Sequence, residues 1–205
     1  MSAEPELILE LITPELIVSG GGIALDLGGG RGGLRQPLEK LGYRYLNLDI
    51  QRFNERNPDL IGDAHQLPFK DSVFQAVISK DSLEHFAEPW KVVREVHRVL
   101  KDGGYFVIWV PFMHPFHGDD FYRYTPLGLQ HLLKDFEIVF FDSPRWVFTV
   151  IGLAVVELLK RMRLGIFERT IKGTCYKLDE WFMQEKRRPA SFANGYRVVA
   201  RKRSR

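Results

Sequence analysis

Ile23-Ala24-Leu25-Asp26-Leu27-Gly28-Gly29-Gly30-Arg31-Gly32-Gly33-Leu34 runs from an apolar segment through one acid into a turn built almost wholly of glycine. Five of the six residues from Gly28 to Gly33 are glycine, which costs backbone entropy in any helix or strand interior. Only a turn that needs positive φ, or a ligand that must approach the main chain closely, offsets that cost. The residues before the turn have the pattern of a buried strand, and residues 34–41 that of a helix stopping at Gly42. A nucleotide-like ligand is therefore expected at this turn.

Two ligand classes use such a turn. Gly28, Gly30 and Gly33 fit G-x-G-x-x-G, with Asp49 at the end of a second strand about 20 residues on, as a dinucleotide fingerprint requires. Asp26, Gly28, Gly30 and Gly32 also fit D-x-G-x-G-x-G, with the acid ahead of the glycines. A carboxylate there repels a pyrophosphate and attracts a cationic ligand, which tilts the reading away from NAD.

Residues 43–50 read as a second strand ending in Asp49, whose carboxylate is suited to accept two hydrogen bonds from a ribose diol. Gly62-Asp63-Ala64, Leu67-Pro68-Phe69, a strand at 76–79, Ser82-Leu83-Glu84-His85 and Leu100-Lys101-Asp102-Gly103-Gly104 follow. Taken with the glycine turn, this order resembles the class I S-adenosylmethionine-dependent methyltransferases, in the type 11 branch. The resemblance covers roughly Ala24 to Pro111 and continues more weakly beyond. Asp63 alone reads as an ordinary turn residue; the joint order of the motifs carries the likeness.

The resemblance implies an α/β, Rossmann-like, doubly wound sheet of seven strands, mostly parallel with an antiparallel last strand. It implies S-adenosylmethionine as cofactor and methyl transfer as the activity. Asp26, Gly28, Gly29, Gly30 and Gly32 would cradle the amino-acid end of the cofactor, Asp49 the ribose, Ile50 the adenine face, and Asp63 with Ala64 the adenine edge. Ser79, closing the strand at 76–79, completes the cofactor set. Two departures are visible: Phe74-Gln75 stands where the family commonly has Phe-Asp, and Gly29 where cysteine is frequent.

The acceptor end is expected in the loop after strand five, residues 111–124, because ligands gather at the carboxyl ends of strands in an open α/β sheet. His114 and His117, with Asp119 or Asp120 behind them, offer a general base and an orienting acid. The same residue types are competent metal ligands, and a further reading makes them struts of a proline-rich loop. His114, His117 and Asp119 are assigned as base or acceptor contacts, with no metal assigned. Arg123 and Tyr124 are assigned to the substrate, through anion binding and aromatic stacking; Arg123 paired with Asp119 or Asp120 is the alternative. His85 is taken as a site-shaping residue.

At 205 residues, 45% hydrophobic and 13% aromatic, the chain can bury a sizeable core and is expected to be one domain. A lone cysteine, Cys175, excludes an internal disulfide framework and a cysteine zinc site, as suits a reducing cytosol. The first residues carry acids and no basic n-region, so a cytoplasmic location is expected. Helices are expected near residues 5–18, 89–100 and 125–133, and strands at 105–110, 136–141 and 195–200.

An insertion at about 143–190 separates strands six and seven. Residues 146–159 hold only Thr149 and Glu157 as polar interruptions. Fourteen residues of helix reach about 21 Å, short of the roughly 30 Å of a bilayer core. From Arg145 onward there are fifteen Lys or Arg against five Asp or Glu, and before it fourteen against twenty-one, so a basic end follows an acidic body. An apolar helix followed by cations suits peripheral contact with an anionic membrane face through residues 146–163; a lid or a dimer contact is the alternative. The expected acceptor is a small molecule or a glycan, lipid-linked in one version. Nucleic acid is not the expected partner, since the basic clusters at 186–188 and 201–205 lack an aromatic platform. A cofactor-binding subunit without turnover, an NAD-dependent oxidoreductase and an RNA methyltransferase stand as alternatives.

Overall fold

The computed structural model describes residues 21–54, 57–116, 118–163, 167–183 and 191–204. Its seven-stranded sheet has the order β3-β2-β1-β4-β5-β7-β6, formed by β1 (Ile23–Leu27), β2 (Arg44–Asp49), β3 (Leu60–Ile61), β4 (Phe74–Lys80), β5 (Leu100–Pro111), β6 (Phe136–Asp142) and β7 (Gly195–Lys202). Strands β1 to β5 pair in parallel, and β7 lies antiparallel between β5 and β6. The expected fold class is thus the observed one, last strand included.

The helices are α1 (Arg35–Lys40), α2 (Pro89–Val99), α3 (Pro126–Leu132), α4 (Val147–Arg161) and α5 (Glu168–Met183). The central strands are mainly apolar on both sides because both faces of the sheet are covered. One core gathers Val92, Val93, Val96 and Val99 of α2 and Leu129 of α3 against Leu25, Val77 and Phe106. The other packs Leu34 and Leu38, from the α1 side, against Ala76, Ile78, Val107 and Trp109. Proline opens α2 and α3, where its missing N–H costs nothing, and Thr125 caps α3 by accepting from Gly128 N–H at 3.1 Å.

One boundary differs from the sequence expectation. The chain enters β5 at Leu100, so Lys101-Asp102-Gly103-Gly104 belongs to the strand and does not form a helix-terminating turn outside it. A β-carbon on Gly104 would sit 2.9 Å from Lys101 O and 3.0 Å from Gln75 O: glycine lets this irregular start of the strand close onto β4. The helix expected at residues 5–18 lies outside the described residues.

Between β6 and β7 the chain forms the α4–α5 hairpin. No side chain local to α4 caps its N-terminus. Asp179 of α5 does so from a distance, accepting from Trp146 N–H (2.8 Å), Phe148 N–H (3.1 Å) and Thr149 N–H (2.9 Å) while fully buried. A carboxylate is well placed there, since the helix N-terminus is the positive end of its dipole. Arg197 of β7 binds Asp142 of β6 through two buried bonds, Nε to Oδ1 at 3.0 Å and Nη2 to Oδ2 at 2.7 Å, and Lys202 donates to Leu100 O at 2.8 Å. Part of the basic C-terminal run therefore faces inward.

Candidate functional site

Strand order reverses between β1 and β4, and the carboxyl ends of these strands open the crevice in which such sheets hold ligands. The glycine turn lies there. Gly28, Gly30 and Gly32 all have positive φ (71°, 54° and 73°), which favours glycine. A β-carbon on Gly28 would stand 2.6 Å from Ser82 Cβ, whereas one on Gly30 would project into space with only Phe53 within 4.0 Å. The main chain at Gly30 is accordingly open to a ligand.

Polar groups strap the turn from both sides. Gly30 N–H donates to Asp49 Oδ2 (2.9 Å) and Asn47 Nδ2 to Gly30 O (2.8 Å), tying it to β2. Ser82 Oγ donates to Leu27 O (2.8 Å) and shares a 2.6 Å bond with Ser79 Oγ, tying it to the end of β4. Asn47 was visible in the sequence only as a polar residue inside an apolar strand, and Ser82 only as the head of the Ser-Leu-Glu-His motif.

Two adjoining clefts share Gly28 and Asp81. The larger, about 470 Å³, is lined by Leu48, Asp49, Ile50, Asp63, Ala64, His65, Ser82, His85, Gly118 and Asp119, among others. Ile50 is 68% exposed, an apolar side chain presented at the cleft edge. Asp63 accepts His65 N–H (2.9 Å) and contacts His65 Nδ1 (2.6 Å); these bonds, the backbone one foremost, hold its carboxyl below the usual range. His65 Nε2 accepts from Glu88 N–H (3.3 Å), so Nδ1 carries the proton that Asp63 receives.

The smaller cleft, about 210 Å³, is lined by Asp26, Gly28, Gly29, Gly30, Gly33, Leu34, Lys80 and Asp81. Asp26 is 2% exposed and accepts the Tyr45 hydroxyl proton. Burial pushes its carboxyl up from 3.8 to about 6, against the opposing effects of the Tyr45 bond and of Lys80. Asp81, beside Lys80, takes a left-handed φ of 48°, a strained conformation of the kind that gathers at functional sites. Nothing in its sequence context marked it.

Among the assigned cofactor residues, Asp26, Gly28, Gly29, Gly30, Asp49, Ile50, Asp63 and Ala64 line one or both clefts. Gly32 and Ser79 do not. A β-carbon on Gly32 would face Asn47 and Tyr45 at 3.4 Å, and Ser79 is wholly buried, reaching the cleft only through its bond to Ser82.

The acceptor-side residues are more scattered. His114 Nδ1 contacts Pro115 O at 2.9 Å and lines neither cleft, and His117 lies outside the described residues. The imidazole against Asp120 is His85: Nδ1 is 3.1 Å from Asp120 Oδ1 and 3.3 Å from Asp119 O. This histidine comes from the turn after β4, and it meets Asp120 because Phe121 and Tyr122 N–H both donate to Glu84 O (2.9 and 3.3 Å), pinning the post-β5 loop onto that turn. Arg123 Nη2 binds Asp120 Oδ2 at 2.6 Å, the paired alternative. Tyr124 is 7% exposed and donates to Leu83 O at 3.0 Å; burial pushes its hydroxyl pKa up. Tyr124 braces the loop and does not face the cleft.

A cavity of about 860 Å³, bigger than either cleft, is a groove between α2 and α3 lined by Trp90, Val93, His97, Tyr122 and Phe136, and it includes no glycine-turn residue. Size alone does not mark the site.

The family model described as a methyltransferase domain matches residues 25–108. The demethylmenaquinone methyltransferase of Thermotoga maritima is 30% identical over 168 residues, covering 65% of this chain and 70% of that protein. The sarcosine/dimethylglycine N-methyltransferase of Halorhodospira halochloris is 34% identical over 111 residues, 47% of this chain and 38% of that one. The chain spans under half the length of several curated relatives that it matches. Among solved structures, the [4+2]-cyclase SpnF superposes with a TM-score of 0.63 at 21% identity, covering 98% of this chain and 80% of its own. A Haemonchus contortus phosphoethanolamine methyltransferase bound to S-adenosylhomocysteine gives 0.59 at 18%, covering 98% and 52%. These structural likenesses establish the shared fold.

Proposed function

The chain belongs to the methyltransferase domain family of class I S-adenosylmethionine-dependent enzymes, and on that premise we propose that it methylates a small-molecule or glycan acceptor. We read residues 1–205 as one such domain carrying an insertion at about 143–190. The observation that carries the reading is the strapped glycine turn, with Asp49 and Ile50 on one side and the buried Asp26 on the other.

The residues fit the donor. The open space at Gly30 admits a ligand against the main chain. Asp49 is held by Gly30 and Gln51 N–H (2.9 Å each), so both carboxylate oxygens are fixed in direction while keeping a lone pair for a ribose hydroxyl. Ile50 offers an apolar surface to a base, and Asp63 with Ala64 its polar edge. When bound, S-adenosylmethionine supplies a methyl group on a sulfonium centre.

The protein's part is to align and to exclude water. Asp26 and Asp81 place negative charge around the smaller cleft, suited to the cationic end of the donor. The acceptor enters over the His85–Asp119 side of the larger cleft, where Asp119 stays a candidate contact. His117 remains a candidate base, while His114 and Arg123 act through the loop.

The acceptor class is read from the hairpin. Ile151, Val155, Leu158 and Met162 form an exposed apolar stripe along α4 and its C-cap, with Lys160, Arg161 and Arg163 at its end. Among the described residues no helix is long and apolar enough to cross a membrane. The stripe suits lying in an anionic lipid surface, which favours a lipid-linked acceptor. A dimer contact is the competing use. Flotation with anionic and neutral vesicles tests this: Ile151→Asp with Leu158→Asp is expected to abolish recovery with anionic vesicles. Equal recovery of wild type and variant would remove the membrane reading. Transfer of labelled methyl from S-adenosylmethionine to lipid-linked and soluble glycan extracts tests the activity, and a protein that binds the donor yet labels nothing would be a cofactor-binding subunit.

A further inference from the structure

We propose that Glu84, His85 and Asp120 form a binding site for one divalent cation of the manganese type at the acceptor side of the cleft. Each offers a ligand atom, and the three atoms lie within 4.8 Å of one another. Adjacent ligands in an octahedral shell at about 2.1 Å from the ion stand about 3 Å apart and opposite ones about 4.2 Å, so the cluster is already near the size of a coordination shell.

The side chains of Glu84 and Asp120 are 0% and 2% exposed, and His85 lies between them, 3.8 Å from Glu84 Oε1 through Nε2 and 3.1 Å from Asp120 Oδ1 through Nδ1. Buried carboxylates gathered at one point attract positive charge, part of which Arg123 already supplies to Asp120. Arg123 occupies Asp120 Oδ2, which turns Oδ1 toward the imidazole. One imidazole nitrogen with two carboxylate oxygens is a mixed, fairly hard donor set, which suits Mn²⁺ better than a soft ion.

The cluster is built from two chain segments pinned together by the Phe121 and Tyr122 N–H bonds to Glu84 O, so it is held independently of any ligand. His85 also lines the larger cleft. A cation there would hold an acceptor oxygen and lower the pKa of its hydroxyl, a role that rests on the methyl-transfer reading; binding of the ion does not.

The test is titration of chelator-treated full-length protein with MnCl₂, following free Mn²⁺ by electron paramagnetic resonance, with no methyl donor present. Saturation at one Mn²⁺ per chain is expected, and His85→Gln or Asp120→Asn is expected to weaken binding about tenfold or more. His131→Ala, a surface histidine on α3, should leave it unchanged. Near-UV circular dichroism checks that each variant keeps its fold; His85, the most exposed of the three, keeps the test open if the buried variants do not fold. No binding by folded wild type, or equal binding by His85→Gln, overturns the proposal and leaves the donor site untouched. In that case the cluster is an acid–imidazole pair.

Discussion

Asp26→Asn separates what the buried acid costs the fold from what it contributes to binding. Burial lifts its carboxyl from 3.8 to about 6, a change equivalent to about 3 kcal/mol. Between those two values the native protein holds a proton that the unfolded chain has released. Stability therefore falls as pH rises through the window and is level above it. Asparagine keeps the acceptor for the Tyr45 hydroxyl and removes the charge. The difference in unfolding free energy between variant and wild type should grow in the variant's favour by about 2 kcal/mol from pH 4 to pH 7, the greater part of the full linkage. Urea unfolding of both ligand-free proteins at several pH values measures it, and the subtraction removes groups that titrate alike in both, such as Asp63 and Glu95. The stabilised variant should meanwhile bind S-adenosylmethionine more weakly. A difference that stays flat with pH, or grows toward acid, would refute the assignment of a buried, costly carboxylate.

Gly30→Val should leave the fold in place, with a left-handed backbone penalty of about 1–2 kcal/mol, because its side chain meets open cleft; donor binding should vanish, and normal binding by calorimetry would show that the pocket is misassigned. Asp49→Ala should weaken donor binding by about 2–3 kcal/mol through lost charge-assisted hydrogen bonds, read as a raised KM for the donor with little change at saturation. Arg197→Ala should destabilise the protein by about 3–5 kcal/mol by leaving Asp142 buried and unpaired; the paired change Arg197→Met with Asp142→Leu should recover most of it in the same urea assay. Asp179→Ala should lower stability by about 3 kcal/mol, since three N–H groups at the start of α4 lose a charged acceptor, and hydrogen exchange should rise first at Phe148 and Thr149.

The glycine turn and the strand pattern were legible because they depend on local chemistry: positive φ at three glycines, and apolar runs buried on both sides. The start of β5 misled because Gly103-Gly104 is a strong helix stop, whereas pairing of Leu100 with Phe74 takes the same residues into the sheet. Helix α5 was hidden by its polar residues: Ile171, Cys175, Leu178 and Phe182 have helical spacing but stand among lysines and acids. The His85–Asp120 contact is not legible in the sequence for a geometric reason. His85 and Asp120 are 35 residues apart, and their meeting depends on backbone bonds between the post-β5 loop and the turn after β4, while the nearby His114 and Asp119 suggested a local pair. Asp81 and Asn47 carry no signal in the sequence because single polar residues in or just past a strand are common; Asp81 gains its role from the clefts it lines, and Asn47 from its bond to Gly30 O.

Calorimetric titration of the purified protein with S-adenosylmethionine, its demethylated product S-adenosylhomocysteine, and NAD tests the central claim most directly. Binding of the first two at one site per chain, with no heat from NAD, is the predicted result. Binding of NAD alone would contradict the reading of Asp26 and the glycine turn.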